Sequence, residues 1–243
     1  MSSLSHFLPL ALAVFAGAAV SGFTGFAFSA VAGAILLHVL SPTEAVPLMM
    51  ACSIMVQGAN LVCLRHALDW RGSLAFILGG VVGIPPSLYV LLHVDAPAFR
   101  TGFGIFLAVY AGYMLLRPAA RLFVDIRSGF HDAAVGFAGG LVGGLTAMPG
   151  ALPTIWCDLR GLPKERQRGL VQPFIAAMQI VALAVLLSRR EISFGFVQDF
   201  LIGLPALAAG AALGLVLFNR LDGALFRRAM LVTLLVAGVA LVA

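Results

Sequence analysis

The sequence predicts an all-α polytopic membrane protein. It is expected to hold two inverted repeats, each a broken or re-entrant first helical element followed by three transmembrane helices. Three observations lead there. Hydrophobic residues are 61% of the 243-residue chain and charged residues 10%, against about 25% charged in a soluble domain. The two halves share a pattern of residues in the same order. The basic residues fall on one side of the membrane only if the first element of each half folds back on itself.

Lipid is the only solvent that suits this composition. The apolar runs are roughly 20 residues long, the length that crosses a bilayer as helix. Alternation of period two is absent, which argues against a barrel. The formal net charge of +5 is not a nucleic-acid signal, because the arginines stand at the ends of apolar runs, where loops meet headgroups. Cys52, Cys63 and Cys157 lack metal-ligand spacing and read as small packing residues. No Lys or Arg precedes the first apolar run, so that run is expected to be the first structural element and not a cleaved signal. One transmembrane domain is expected over 1–243.

In repeat 1 (7–116) the first apolar run extends from Phe7 to Leu40. As one helix of 34 residues it would be about 51 Å long, well beyond a hydrocarbon core of about 30 Å. It must break, and Gly22-Phe23-Thr24-Gly25 is the natural place. The runs Glu44–Leu64, Arg71–Leu92 and Ala98–Leu116 follow. A basic linker (117–131) leads to repeat 2 (132–243), with runs Asp132–Cys157, Gly169–Leu187, Phe194–Phe218 and Ala224–Ala243. A basic loop is expected over 158–168. In Asp132–Cys157 the hairpin rests on symmetry with repeat 1 and on Pro149 and Pro153.

The duplication is visible in several matches. Ala16-Gly17-Ala18-Ala19-Val20-Ser21-Gly22-Phe23-Thr24 and Ala138-Gly139-Gly140-Leu141-Val142-Gly143-Gly144-Leu145-Thr146 share A-G-x-x-V-x-G-φ-T, with φ a large apolar residue. Gln57 and Gln179 stand at the same offset as Thr24 and Thr146. Ser41–Glu44 resembles Leu162–Glu165, and Val94–Arg100 resembles Leu221–Arg227. Internal repeats are a common plan of secondary transporters.

Charge decides the path of each first element. If every run crossed once, 7 Lys and Arg would face one side and 8 the other, contrary to the positive-inside rule. If each first element enters and returns, 12 face one side and Arg100, Arg189 and Arg190 the other. Three simple spans per repeat then make the repeats inverted. Both termini are expected on the non-cytoplasmic side.

Chemistry is expected where helices break. Interrupted backbone within lipid must line a cavity or be buried in protein, and a helix starting there offers free N–H groups and partial positive charge. That suits an anion without a charged side chain. The chain has a single lysine, Lys164, in the expected loop, and its arginines lie at run ends. The candidate substrate-binding residues of the first break are Ser21, Thr24, Gly25 and Phe26. Those of the second are Thr146, Ala147, Met148, Pro149 and Gly150. Neutral side chains inside runs extend the set to Gln57, Asn60, Gln172 and Gln179, each able to donate to an oxyanion or, on the plainer reading, to bond between helices. Gly17, Gly139 and Gly140 read as close helix packing.

No carboxylate is expected at mid-depth to relay protons. Enzyme readings fail: there is no H-E-x-x-H and no Ser–His pair at a known spacing. No mid-helix lysine exists for a Schiff base. No cofactor or metal is expected. The expected partners are a small anion and the lipid bilayer, with no nucleic acid; a homo-oligomer is compatible with the chain but not dictated by it.

These pieces resemble the TauE/SafE family of membrane transporters, also called sulfite exporters. Gly22–Phe28, G-F-T-G-F-A-F, resembles that family's G-x-T-G-F-G-x signature. Gly139–Gly150, G-G-L-V-G-G-L-T-A-M-P-G, resembles its second glycine-rich signature, and Gly161–Arg168 the loop after it. Ala27 stands where a glycine is common, and Ala147-Met148-Pro149-Gly150 replaces the usual G-I-G-G-P. The resemblance implies movement of small sulfur oxyanions or organosulfonates across the bacterial inner membrane. The leading reading is a secondary carrier for such an anion. A passive anion channel and a non-transporting membrane sensor or assembly component are the alternatives.

Overall fold

The computed structural model describes residues 3–24, 27–63, 65–66, 68–116, 129–188, 194–220 and 223–242. Among the described residues every regular element is an α-helix. The first half holds α1 (Ser3–Thr24), α2 (Phe28–Leu36), α3 (Pro42–Cys63), α4 (Trp70–His93) and α5 (Ala96–Leu116). The second holds α6 (Gly129–Thr146), α7 (Ala151–Leu159), α8 (Lys164–Ser188), α9 (Phe194–Arg220) and α10 (Gly223–Val242). By length and composition, four helices among the described residues can cross a membrane: α4, α5, α8 and α9. At 22 residues, α3 is also about 33 Å long, but it carries Ser53, Gln57 and Asn60.

The long first run does break. α1 ends at Thr24 and α2 starts at Phe28. α2 then folds back on α1: a Cβ added to Gly17 would meet the Phe28 carbonyl oxygen at 3.0 Å and the Ala32 Cβ at 3.1 Å. Hydrogen at Gly17 is what lets the two helices approach. The start of α1 and the start of α3 line one cavity of about 510 Å³, through Phe7, Leu10, Leu40, Glu44 and Leu48, with Phe196, Asp199 and Ile202 of α9. The chain therefore comes back near the start of α1 before α3 begins. At the start of α3 the Glu44 carboxylate reaches back to Ser41, its Oε2 accepting from the Ser41 N–H at 3.2 Å and from the Ser41 Oγ–H at 2.7 Å, which is the glutamate half of a capping box.

The second element behaves alike. α6 stops at Thr146 and α7 begins at Ala151. Asp132, in the first turn of α6, accepts from Trp156 Nε1 at 2.8 Å and Arg160 Nη1 at 3.0 Å, beside the end of α7. The Arg160 guanidinium also stacks 5.9 Å from the Trp156 ring centre. The expected basic loop of 158–168 is largely helical instead, since α7 runs to Leu159 and α8 starts at Lys164. The charged residues there are good helix formers, and they mark the headgroup end of α8. α6 begins at Gly129, three residues before the expected start of repeat 2; the rest of the linker, 117–128, lies outside the described residues.

Packing joins the halves crosswise. α4 packs chiefly on α6, α1 on α9 and α5 on α10, while α3 lies against α8. The α4–α6 contact is backbone on backbone. Gly79, Gly80 and Gly83 of α4 face Ala133, Gly136, Phe137 and Gly140 of α6, and Gly144 faces Ser87. Residue numbers rise together along this seam, so the helices are parallel. Small residues at spacings of three and four bring helices this close in a membrane; the packing reading of Gly140 holds. α1 and α9 are parallel as well, with Leu10 and Val14 at Gly203 and Phe15 and Ala18 at Gly210. α5 and α10 are antiparallel, Gly104 meeting Gly238 and Leu241.

Candidate functional site

α3 and α8 place polar side chains at the centre of the bundle. Gln57 and Gln179 are each the sixteenth residue of their helices, and both are buried with Gln172. Gln179 bridges the halves. Its Nε2 donates to Ser53 Oγ of α3 at 2.8 Å and to the Ala147 carbonyl at 3.3 Å. One glutamine amide thus ties the second break to a helix of the first half. Gln172 is two helical turns before Gln179 on α8, and Gln57 is one turn after Ser53 on α3.

The break at 147–150 is shaped by backbone. Ala147 has φ 55°, the left-handed region, where a side chain costs about 1–2 kcal/mol. Its N–H still donates to the Gly143 carbonyl at 2.8 Å, closing the last turn of α6. Thr146 Oγ1 donates to the Val142 carbonyl at 2.7 Å and accepts from the Met148 N–H at 3.3 Å. The hydroxyl therefore carries one backbone N–H past the end of α6. Pro149 lies against Gly143, where a Cβ would meet its Cβ at 2.5 Å. Gly150 is the N-cap residue of α7, and a Cβ there would meet Ile175 Cδ1 at 2.5 Å. Its hydrogen lets the start of α7 rest on α8 one turn before Gln179. Met148 is buried in the same place.

At the first break Ser21 is 1% exposed, and its Oγ has no hydrogen-bond partner among the described residues. Ser29, in the first turn of α2, has the same character. Thr24 ends α1 and Asn60 belongs to α3, but their side chains, like Gly25 and Phe26 as a whole, lie outside the described residues. The structure thus brings together Thr146, Ala147, Met148, Pro149, Gly150 and Gln179. It also buries Ser21, Gln57 and Gln172.

Two residues escaped the sequence reading. Ser53 looked like one more small residue in an apolar run; its spacing of four from Gln57 puts both on one helical face, a signal that could have found it. Ser29 could have been found as the first hydroxyl after the break. Asp158, expected at a loop, is 9% exposed within α7, since the helix continues to Leu159.

A family model described as Sulfite exporter TauE/SafE matches residues 10–241. No curated protein and no solved structure matches the chain.

Proposed function

The chain belongs to the TauE/SafE sulfite exporter family, membrane transporters of sulfite-like anions, and on that premise we propose a secondary carrier. It moves a small sulfur oxyanion or organosulfonate through a site midway across the bilayer, between two inverted repeats. The observation that carries this reading is the meeting of a helix break with both halves: Ala147 at the break, Gln179 of α8 and Ser53 of α3 in one bonded group. Ser53 and Gln179 stand near the middle of helices of 22 and 25 residues, which is mid-depth for a spanning helix.

Inversion is supported by the helix directions. α1 starts on the side where α3 starts, so α4 starts on the opposite side. α6 runs parallel to α4 and thus opposite to α1. The Lys and Arg count then assigns the starts of α4, α6 and α8 to the cytoplasm and both termini to the other side. Inverted repeats with discontinuous first helices are a recurrent carrier plan, with the ligand at the repeat interface. Thr24, Gly25 and Phe26 complete the site from the first break, with Ser21, Asn60, Gln57 and Gln172 around it. Neutral hydroxyls, amides and backbone N–H groups hold the anion, and no lysine or arginine is required.

The test is sulfite flux in proteoliposomes for wild type and for Thr24→Val combined with Thr146→Val. Losing the Thr24 bond to the anion costs about 0.5–1.5 kcal/mol, roughly 2- to 13-fold in affinity, while Thr146→Val acts through the turn at Ala147, since that hydroxyl's proton goes to the Val142 carbonyl. Saturation and counterflow distinguish a carrier from a channel. Unchanged flux and affinity in the double variant would remove these hydroxyls from the mechanism.

A further inference from the structure

Gln179 is 2% exposed, and both of its amide hydrogens have acceptors within the protein. Nε2 lies 2.8 Å from Ser53 Oγ and 3.3 Å from the Ala147 carbonyl oxygen. The amide cannot usefully be reversed: turned over, Oε1 would face the Ala147 carbonyl at that same short range, acceptor against acceptor. The Ala147 carbonyl is itself fixed, because its residue is held at φ 55° with its N–H bonded to Gly143. Gln179 therefore presents Oε1, an acceptor, to its surroundings, and this buried oxygen has no hydrogen-bond donor among the described residues. A buried acceptor left in that condition is costly. Beside it, Ser53 Oγ accepts from Gln179 and keeps its own proton to donate.

We infer that the central site selects an anion carrying its own hydrogen-bond donor, and that Gln179 Oε1 with the Ser53 hydroxyl makes that selection. The ligand's O–H or N–H donates to Gln179 Oε1, while one of its sulfur-bound oxygens accepts from Ser53. Hydrogensulfite and hydroxyl- or ammonium-bearing sulfonates have this pairing. Sulfate and simple alkanesulfonates do not, and they would set an oxygen against Oε1. A monoanion also suits the place better than a dianion, since desolvating the second charge without a cation beside it is expensive. The inference rests on the transport reading above and deepens it.

The experiment compares uptake of 2-hydroxyethanesulfonate and ethanesulfonate into wild-type proteoliposomes at one pH, with sulfite and sulfate as further probes. The pair differs in one donor. The expected result is a half-saturation concentration roughly tenfold or more lower for the hydroxylated member, with sulfite moved and sulfate poorly moved. Equal handling of the two sulfonates, with sulfite still transported, overturns the donor requirement and leaves the carrier reading standing. Failure of all four probes overturns both. In Gln179→Met the preference should shrink to within about twofold; a preference that persists there overturns the assignment to Gln179. Ser53→Ala is a milder second variant. It removes the hydroxyl that donates to the sulfonate oxygen of both probes, so both half-saturation concentrations should rise by a similar factor, and unchanged values for both count against the part assigned to Ser53.

Discussion

Gly140→Ala should loosen the α4–α6 seam, and the size of the effect can be worked from the contact. A Cβ on Gly140 would run first into the Gly80 carbonyl oxygen and would also lie 2.8 Å from the carbonyl carbon and the Cα of Gly80. Ordinary contact begins at 3.4 Å, so clearing the carbonyl carbon and Cα alone parts the helices by about 0.6 Å, and clearing the oxygen takes more. The obstruction is backbone on both sides, and no rotamer change relieves it. Overpacking of this kind costs about 1–3 kcal/mol. At about 2–4 °C per kcal/mol for a chain of this size, the melting point should fall by roughly 2–12 °C. The assay is thermal unfolding of the detergent-solubilised protein followed by near-ultraviolet circular dichroism. Gly112→Ala is the control: nothing lies within 4 Å of its added Cβ, and alanine favours helix by about 0.8–1.0 kcal/mol. A Gly140→Ala protein that melts with wild type, or a Gly112→Ala protein that falls as far, would refute the argument that this seam depends on missing side chains.

Two further substitutions probe the second element. Ala147→Gly removes the left-handed cost of about 1–2 kcal/mol but loosens the unfolded chain by about 0.4–1 kcal/mol; it should melt at or slightly above wild type, whereas Ala147→Val should melt several degrees lower. A stabilised valine variant would contradict the observed φ. Asp132→Asn gives up the carboxylate that Trp156 and Arg160 share. Because the Asp132 and Arg160 side chains are 17% and 13% exposed, the ion-pair loss is discounted to about 1 kcal/mol. In a Trp70→Phe background the Trp156 emission should shift with it, and an unmoved spectrum together with an unmoved melting point would sink the proposed tie.

The helices were legible because lipid demands long apolar runs, and the first break because no bilayer accommodates Phe7–Leu40 as a straight rod. Charge argued for a same-side return of both first elements, since arginine rarely leaves the headgroup layer on its preferred side. Helix partners were not legible. Gly136, Gly140 and Gly144 announce a close neighbour, but spacing does not say that the neighbour is α4. The basic stretch 158–168 looked like a loop because charge within a membrane protein suggests an end, yet Lys164 and Glu165 start α8. At the second break the left-handed residue is Ala147 and not one of the adjacent glycines; Gly143, Gly144 and Gly150 are needed for clearance from Pro149, Ser87 and Ile175. Gln179 was foreseen as a donor. Which end of its amide is spent on the protein depends on Ser53 and the turn at Ala147, and only the folded chain brings those together.

The crosswise packing of α1 on α9 has a consequence for how the chain is made. α1 is synthesised well before its main partner, which follows about 190 residues later. Until α9 emerges, the Val14 and Ala18 face of α1 has only lipid beside it, and the nascent chain cannot close its first half on its own. Contacts between such distant parts of a chain slow assembly. Maturation in the membrane should therefore be late and nearly all at once, and in a chain stalled before Phe194 a photo-crosslinker at position 14 should capture lipid that the full chain excludes.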